Sequence, residues 1–438
     1  MAALAAGTAA APREEETVIS RLLRFGRLGA LAGLLLGTFA ASGASAAAAS
    51  AGKATPASIW QVVKTASPSA NQLDNSFLQG VSVAGAADGW AVGEFMDTNA
   101  LIHPLAEHWN GTQWRQVNVA EPSGRQSMLQ AVDELSSTNA WAVGVSGNGA
   151  LDEFNVDQQP VIEHWNGTAW SIASIPALPP GDTGTLTAIG GSGPADLWAV
   201  GTLVPTNGIE IDPLFEHFNG TNWTIVPFSA QSACSTALTD CFFTAAGVSA
   251  SSPNDVWVVG NIAQPNPSVN LAAHWNGSQW QIVPMPALHD GPGALDQLTG
   301  VTTLSPTNAW ASGYEYNANG ANFHVPYVLH WNGTTWTLTE TPNQGGEGSL
   351  LRAITALSAT DIWAVGQVQQ LDGTISTLTE RFNGTTWAVV ASPNPGGVGN
   401  DSLDAVASPG GGLLFAAGAQ EVSGQCCLRT LGLMTPSG

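Results

Sequence analysis

From about residue 57 onward, apolar residues fall in short strand-length runs divided by polar turns, and the same order of runs recurs along the chain. One copy shows the pattern. Residues 129–132 form a first run, and the polar turn 136–139 leads into a second over 140–145. A third covers 161–165, and after Asn166-Gly167 a fourth covers 170–173. Asn-Gly between two apolar runs predicts a two-residue hairpin of type I′. The second run reads Trp-Ala-Val-Gly with little polar alternation, which suits a strand buried on both faces.

Two landmarks fix the repeat. Trp90, Trp141, Trp198, Trp257, Trp310 and Trp363 recur at a mean spacing of about 55 residues, the range of solenoid, propeller and array repeats. Asn110, Asn166, Asn219, Asn276, Asn332 and Asn383 each precede Gly, and a further Trp follows four residues later. Four antiparallel strands per repeat describe a propeller blade. A seventh copy over 403–433 lacks both the Asn-Gly turn and the closing Trp. The missing strand lies at the other end, where Trp60-Gln61-Val62-Val63 matches Trp387-Ala388-Val389-Val390. The expectation is an all-β, seven-bladed β-propeller of four-stranded antiparallel blades, closed by residues 59–63 completing the last blade. Such closure removes open sheet edges.

Residues 1–46 differ in kind. Arg21, Arg24 and Arg27 precede an apolar run over 28–41 and an Ala44-Ser45-Ala46 stretch, the order of a secretory signal peptide. The apolar run is short for a membrane span of about 20 residues. The expected organisation is a signal peptide over 1–46, a short linker over 47–56 and one propeller domain over 57–438. The protein is then secreted, extracellular or held at the cell surface.

Composition narrows the partners. A formal net charge of −22 disfavours nucleic acid and anionic membrane, which need clustered Lys and Arg. Cys234 and Cys241 flank a short polar loop and are expected to pair, since disulfides persist outside the cell. Cys426 and Cys427 are adjacent, and on a strand they point to opposite faces.

Trp-Ala-Val-Gly with His-Trp-Asn-Gly-Thr-x-Trp, over residues 57–438, resembles the Trp-rich repeat propellers of secreted bacterial proteins, and is distantly similar to kelch-like and Asp-box propellers. The Asp that defines an Asp box and the Gly-Gly pair of kelch repeats are absent. The resemblance implies a propeller and no particular activity.

Candidate chemistry is sparse. His108, His164, His217, His274 and His330 each sit two residues before the Asn of the turn. One per blade, they lie too far apart to converge on a metal at about 2 Å, and Arg381 replaces His in the sixth copy. A hydrogen-bonding role to backbone or carboxylate follows. The mature part carries Arg115, Arg125, Arg352, Arg381 and Arg429, and its three Tyr lie in one blade. That supply suits neither sialidase nor copper-oxidase chemistry, and no G-x-S-x-G elbow occurs. What varies between copies is the connection between second and third strands, with Asp152, Glu153, Asp157, Glu210, Asp212, Tyr314 and Tyr316. Variable loops on a rigid scaffold are where binding resides. The expectation is a monomeric, non-enzymatic protein that binds a glycan or protein ligand through these residues, without catalytic residues or cofactor, although the acidic loops leave room for Ca2+. The alternatives are a polysaccharide hydrolase or lyase using loop carboxylates, and a structural component of the envelope.

Overall fold

The computed structural model describes residues 58–68, 75–148, 151, 157–206, 211–228, 242–263, 269–288, 295–317, 323–344, 348–397, 399–421 and 428–435. All regular structure among them is β-strand, so no helix is long and apolar enough to cross a membrane. The strands form five four-stranded antiparallel sheets and one of eight strands. The eight-stranded sheet is two four-stranded runs joined by one parallel bridge, His324 to Gly348. Repeats are numbered 1 to 7 in chain order, from residues 76–117 to residues 401–434.

Repeat 2 shows how the sequence makes the unit. Its strands are Gln126–Ser136, Asn139–Gly147, Gln159–Trp165 and Trp170–Ile172. The first is several residues longer than the apolar run implied, because a bulge at Gln130 shifts the register between Leu129 and Ala131. The bulge breaks the two-residue period, so periodicity shows only part of the strand. The same shift follows Leu78, Leu186, Ala245, Leu298, Leu351 and Leu403. The Gly ending Trp-Ala-Val-Gly faces this strand: a Cβ on Gly144 would overlap the carbonyl oxygen of Met128. The close approach is therefore inside the sheet, not against a neighbouring one.

The Asn-Gly turn differs from the sequence expectation. Trp165 pairs with Trp170, so the loop holds four residues instead of two. Asn166 Oδ1 accepts the backbone N–H groups of Thr168 (3.0 Å) and Ala169 (3.1 Å). Only Gly167 in this loop has positive φ, +92°, whereas a type I′ turn needs it at both central residues. The Asn side chain supplies the turn's hydrogen bonds, so the Asn backbone keeps an ordinary conformation.

Packing between repeats runs through the tryptophans. Trp90 of repeat 1 meets Trp165 and Trp170 of repeat 2, with ring centroids 4.8 and 4.9 Å apart. Trp198 meets Trp275 and Trp280, and Trp257 meets Trp331 and Trp336, in the same way. Phe218 and Phe382 replace one Trp of the pair that receives Trp141 and Trp310. Repeat 7 takes Gln61–Val63 as its fourth strand, paired with 432–434, and Trp60 meets Trp363 edge-on at 5.7 Å. Phe415, at the Trp position of repeat 7, lies against Trp109 and Trp114 of repeat 1 at 5.5 and 6.1 Å.

Two outcomes are expected. Deleting the chain through Thr65 removes a strand and the buried Trp60, a loss of about 3–5 kcal/mol for the aromatic alone, measured as a lower chemical denaturation midpoint. Gly167→Val forces positive φ on a β-branched residue, at about 1–3 kcal/mol, and drives its Cβ to 2.9 Å from Thr138 Cγ2. Its melting temperature should fall by several degrees, whereas Ala169→Ser in the same loop should leave it unchanged.

Candidate functional site

The strands have two ends. The Asn-Gly loops lie at one, and the connections of differing length at the other. At the uniform end each His meets the Asp or Asn two residues before the seam Trp. His108 Nε2 lies 2.7 Å from Asp88 Oδ1, His217 2.8 Å from Asp196 and His274 2.7 Å from Asp255. His164 and His330 pair with Asn139 and Asn308, each at 3.0 Å. In repeat 6, Arg381 takes Asp361 with two nitrogens at 2.7 and 2.8 Å. These Asp and Asn residues therefore serve the facing strand, and Asp196 and Asp255 also accept from Ser192 and Ser251 across their own turn. Each imidazole also lies against the seam Trp, stacked in three repeats as His330 is on Trp310 at 4.0 Å and tilted for His108 and His217, and Arg381 lies over Trp363 at 5.3 Å. Burial pushes the Asp196 carboxyl up, but hydrogen bonds from His217 and Ser192 prevail and hold it below its ordinary value. All these groups are engaged in holding the repeat together. A shallow depression beside Asp196 and His217 is bordered by Pro253, Trp275 and Gly277.

In four repeats the residue before this His, or before Arg381 in repeat 6, is a buried acid that periodicity did not single out. Glu107, Glu163, Glu216 and Glu380 are fully buried. Glu107 accepts the Ala66 N–H at 2.9 Å. Neither oxygen of Glu163, Glu216 or Glu380 meets a hydrogen-bond donor of the protein. Burial without a compensating cation favours the neutral acid and pushes Glu107 and Glu216 up to about 7, and Glu163 and Glu380 to about 8.

At the variable end, repeat 5 departs from the others. Tyr314 and Tyr316 lie on Asn308–Asn317, cross-strand from Gln297 and His324 respectively. The Tyr314 hydroxyl donates to Gln297 Oε1. The His324 ring lies 5.5 Å from Tyr314 and 5.2 Å from Tyr316. Arg352, the bulge residue of repeat 6, comes next, and its Nε lies 3.9 Å from Asp404 of repeat 7. Burial, reinforced by the Arg352 charge, pushes His324 down to about 4. Its imidazole is therefore neutral at physiological pH, with a buried Nδ1 that has no partner. The strip offers phenol, neutral imidazole, guanidinium and carboxylate groups across three repeats, a set that reads hydroxyls and carboxylates by hydrogen bonding.

The other expected positions fall elsewhere. Asp157 is clamped by Arg125: Nη1 reaches Oδ2 at 2.9 Å and Nη2 reaches the Asp157 carbonyl at 2.6 Å. Asn148 donates to the same carboxylate. Asp212 opens the third strand of repeat 3, opposite Leu203. Asp152, Glu153, Glu210, Cys234, Cys241, Cys426, Cys427 and residues 1–57 lie outside the described residues. Gln297, His324, Arg352 and Asp404 were missed because they join the two tyrosines only in space. The available signal was that all three Tyr fall in one repeat.

No family model matches the chain, and no curated protein matches it in sequence. Among solved structures it is similar to YCF48 bound to a D1 peptide, with 12% identity, coverage of 88% of this chain and 99% of that one, and a TM-score of 0.51. A protein of unknown function from Dyadobacter fermentans gives 9% identity, 86% and 97% coverage and a TM-score of 0.46. A lectin from Aleuria aurantia, described as a six-bladed β-propeller with a fucose recognition mode, gives 15%, 72% and 95%, and 0.44. At 12% identity the likeness to YCF48 is one of fold alone.

The buried acids carry a pH signature. A carboxyl whose folded pKa is raised binds a proton in the folded chain that the unfolded chain has released. Its contribution is therefore complete below about 4.5 and is lost as pH rises through about 7–8. Melting should fall by several degrees between pH 5 and pH 8.5. Combining Glu163→Gln with Glu216→Gln, which keeps the shape and removes the titration, should flatten that slope in a calorimetric pH series.

Proposed function

We propose that the protein is a secreted or cell-surface β-propeller of seven blades that binds a glycan at its variable-loop end and does not turn it over. The pairing of Gln61–Val63 with repeat 7 and the contact of Phe415 with Trp109 and Trp114 support a closed ring in this reading. Residues 1–46 serve as the signal peptide, 47–56 as a linker and 57–438 as the propeller.

The observation that carries the binding function is the strip Tyr316, His324, Tyr314, Arg352 and Asp404. The repeat requires none of these side chains, and Tyr316 and His324 stay partly open to solvent. Aromatic faces with a few fixed polar groups are how pockets read ligands. The neutral His324 accepts from sugar hydroxyls, and Arg352 favours uronic acids or sulfated sugars. A monomer suffices, because the strip is built from one chain. Asp152, Glu153, Glu210 and Asp212 are proposed to rim the same end.

A glycan array probed with the chain after leader removal tests this. Binding to acidic oligosaccharides is expected, and Tyr316→Ala should weaken it at least tenfold, about 1.4 kcal/mol, with unchanged melting. Binding untouched by Tyr316→Ala but lost on substitutions around the depression at Pro253 would refute the site. A bound glycan that is also cleaved would mark a polysaccharide hydrolase or lyase instead.

A further inference from the structure

Of the six seams that carry a Trp, one departs from the plan the others share. Ahead of the seam Trp stands an Asp or Asn paired with His or Arg, and facing it is the first strand of the next repeat. In register, the facing position is Gly191 opposite Leu197, Ala250 opposite Val256, Thr303 opposite Ala309 and Ala356 opposite Ile362. Between repeats 1 and 2 it is Glu134, opposite Ala140. A small or weakly polar residue has become a carboxylate, placed against the Asp88–His108 pair.

We propose that Asp88, His108 and Glu134 form a binding site for a divalent transition-metal ion of the zinc type, which pins repeat 1 to repeat 2. The three donor atoms lie within 4.8 Å of one another, so a small movement brings them around one ion at about 2 Å. Glu134 is only 7% exposed. Its Oε2 accepts the Ala84 N–H at 2.9 Å, while its buried Oε1 has no hydrogen-bond partner. An acid held by one oxygen, with the other buried and unengaged, is arranged as a ligand.

The donor set selects the ion. One imidazole nitrogen and two carboxylate oxygens suit zinc and its neighbours, whereas Ca2+ takes six to eight oxygens. Ligation uses the lone pair of His108 Nε2, so in the metal-bound state the ring carries its N–H on Nδ1. Asp88 and His108 side chains are about a quarter to a third exposed, which leaves an entry path and a position for a water ligand. The site lies at the Asn-Gly end, apart from the Tyr314 strip.

The test uses the tag-free chain stripped with EDTA, titrated with ZnCl2 and checked by metal analysis after desalting. One zinc per chain is expected, together with a higher melting temperature. Glu134→Ala installs the residue that Ala250 and Ala356 provide at equivalent seams, so the fold should persist, and Glu134→Gln keeps the volume. Both should weaken zinc binding at least tenfold and abolish the rise in melting temperature. A wild-type chain that retains no zinc, or a smaller loss in the two variants, overturns the assignment.

Discussion

The structure depends on one contact made again at five seams: the Trp of one repeat seated between the two aromatic residues that flank the Asn-Gly turn of the next. A four-stranded sheet cannot bury both faces alone, so stability in such an array comes from the interfaces. Trp90, Trp198 and Trp257 are among the most fully buried side chains, and truncating a buried aromatic costs about 3–5 kcal/mol. Most of these indoles leave the ring N–H without a partner, as in Trp90, Trp198 and Trp257. They are there as large flat surfaces, and the polar work at each seam falls to the adjoining His and its Asp or Asn.

Concentrating the cohesion in one layer frees the rest. The connections at the far end of the strands differ in length and chemistry while the seam stays constant, which is how a repeat scaffold varies its binding surface. The low content of charged residues, 10%, fits the same division, since strands covered on both faces leave few exposed positions. The buried glutamates run against it. Three of them spend desolvation without recovering a hydrogen bond, a cost that falls on specific packing geometry at neutral pH.

Much of the fold was legible because the repeat is both periodic and marked. Trp positions, Asn-Gly and the His two residues before it fixed four strands per unit, and Trp60-Gln61-Val62-Val63 identified the strand that repeat 7 lacks. Three things were not legible. The bulge at Gln130 and its equivalents hides in a period-two pattern. The Asn-Gly loop looked like a two-residue turn because the role of Asn166 Oδ1 is invisible without the pairing of Trp165 with Trp170. The proposed binding strip joins Gln297, Tyr314, His324, Arg352 and Asp404 across more than 100 residues of sequence. Tyr314 and Tyr316 were legible as exceptions, whereas Asp157 looked like an available acid and is held by Arg125.

A repeat protein also supplies its own comparison. Because each unit solves the same packing problem, a residue shared by most units is explained by that problem, and a residue found in one unit is not. The His–Asp pair is shared, and it is structural. Glu134, Arg352 and the tyrosines of repeat 5 are not shared, and each replaces a residue that other repeats show to be sufficient for folding. Glu134 places a buried acid beside Asp88, where Ala serves elsewhere. A cation bound at the proposed site would stabilise the Glu134 carboxylate directly, a partner that Glu163, Glu216 and Glu380 lack.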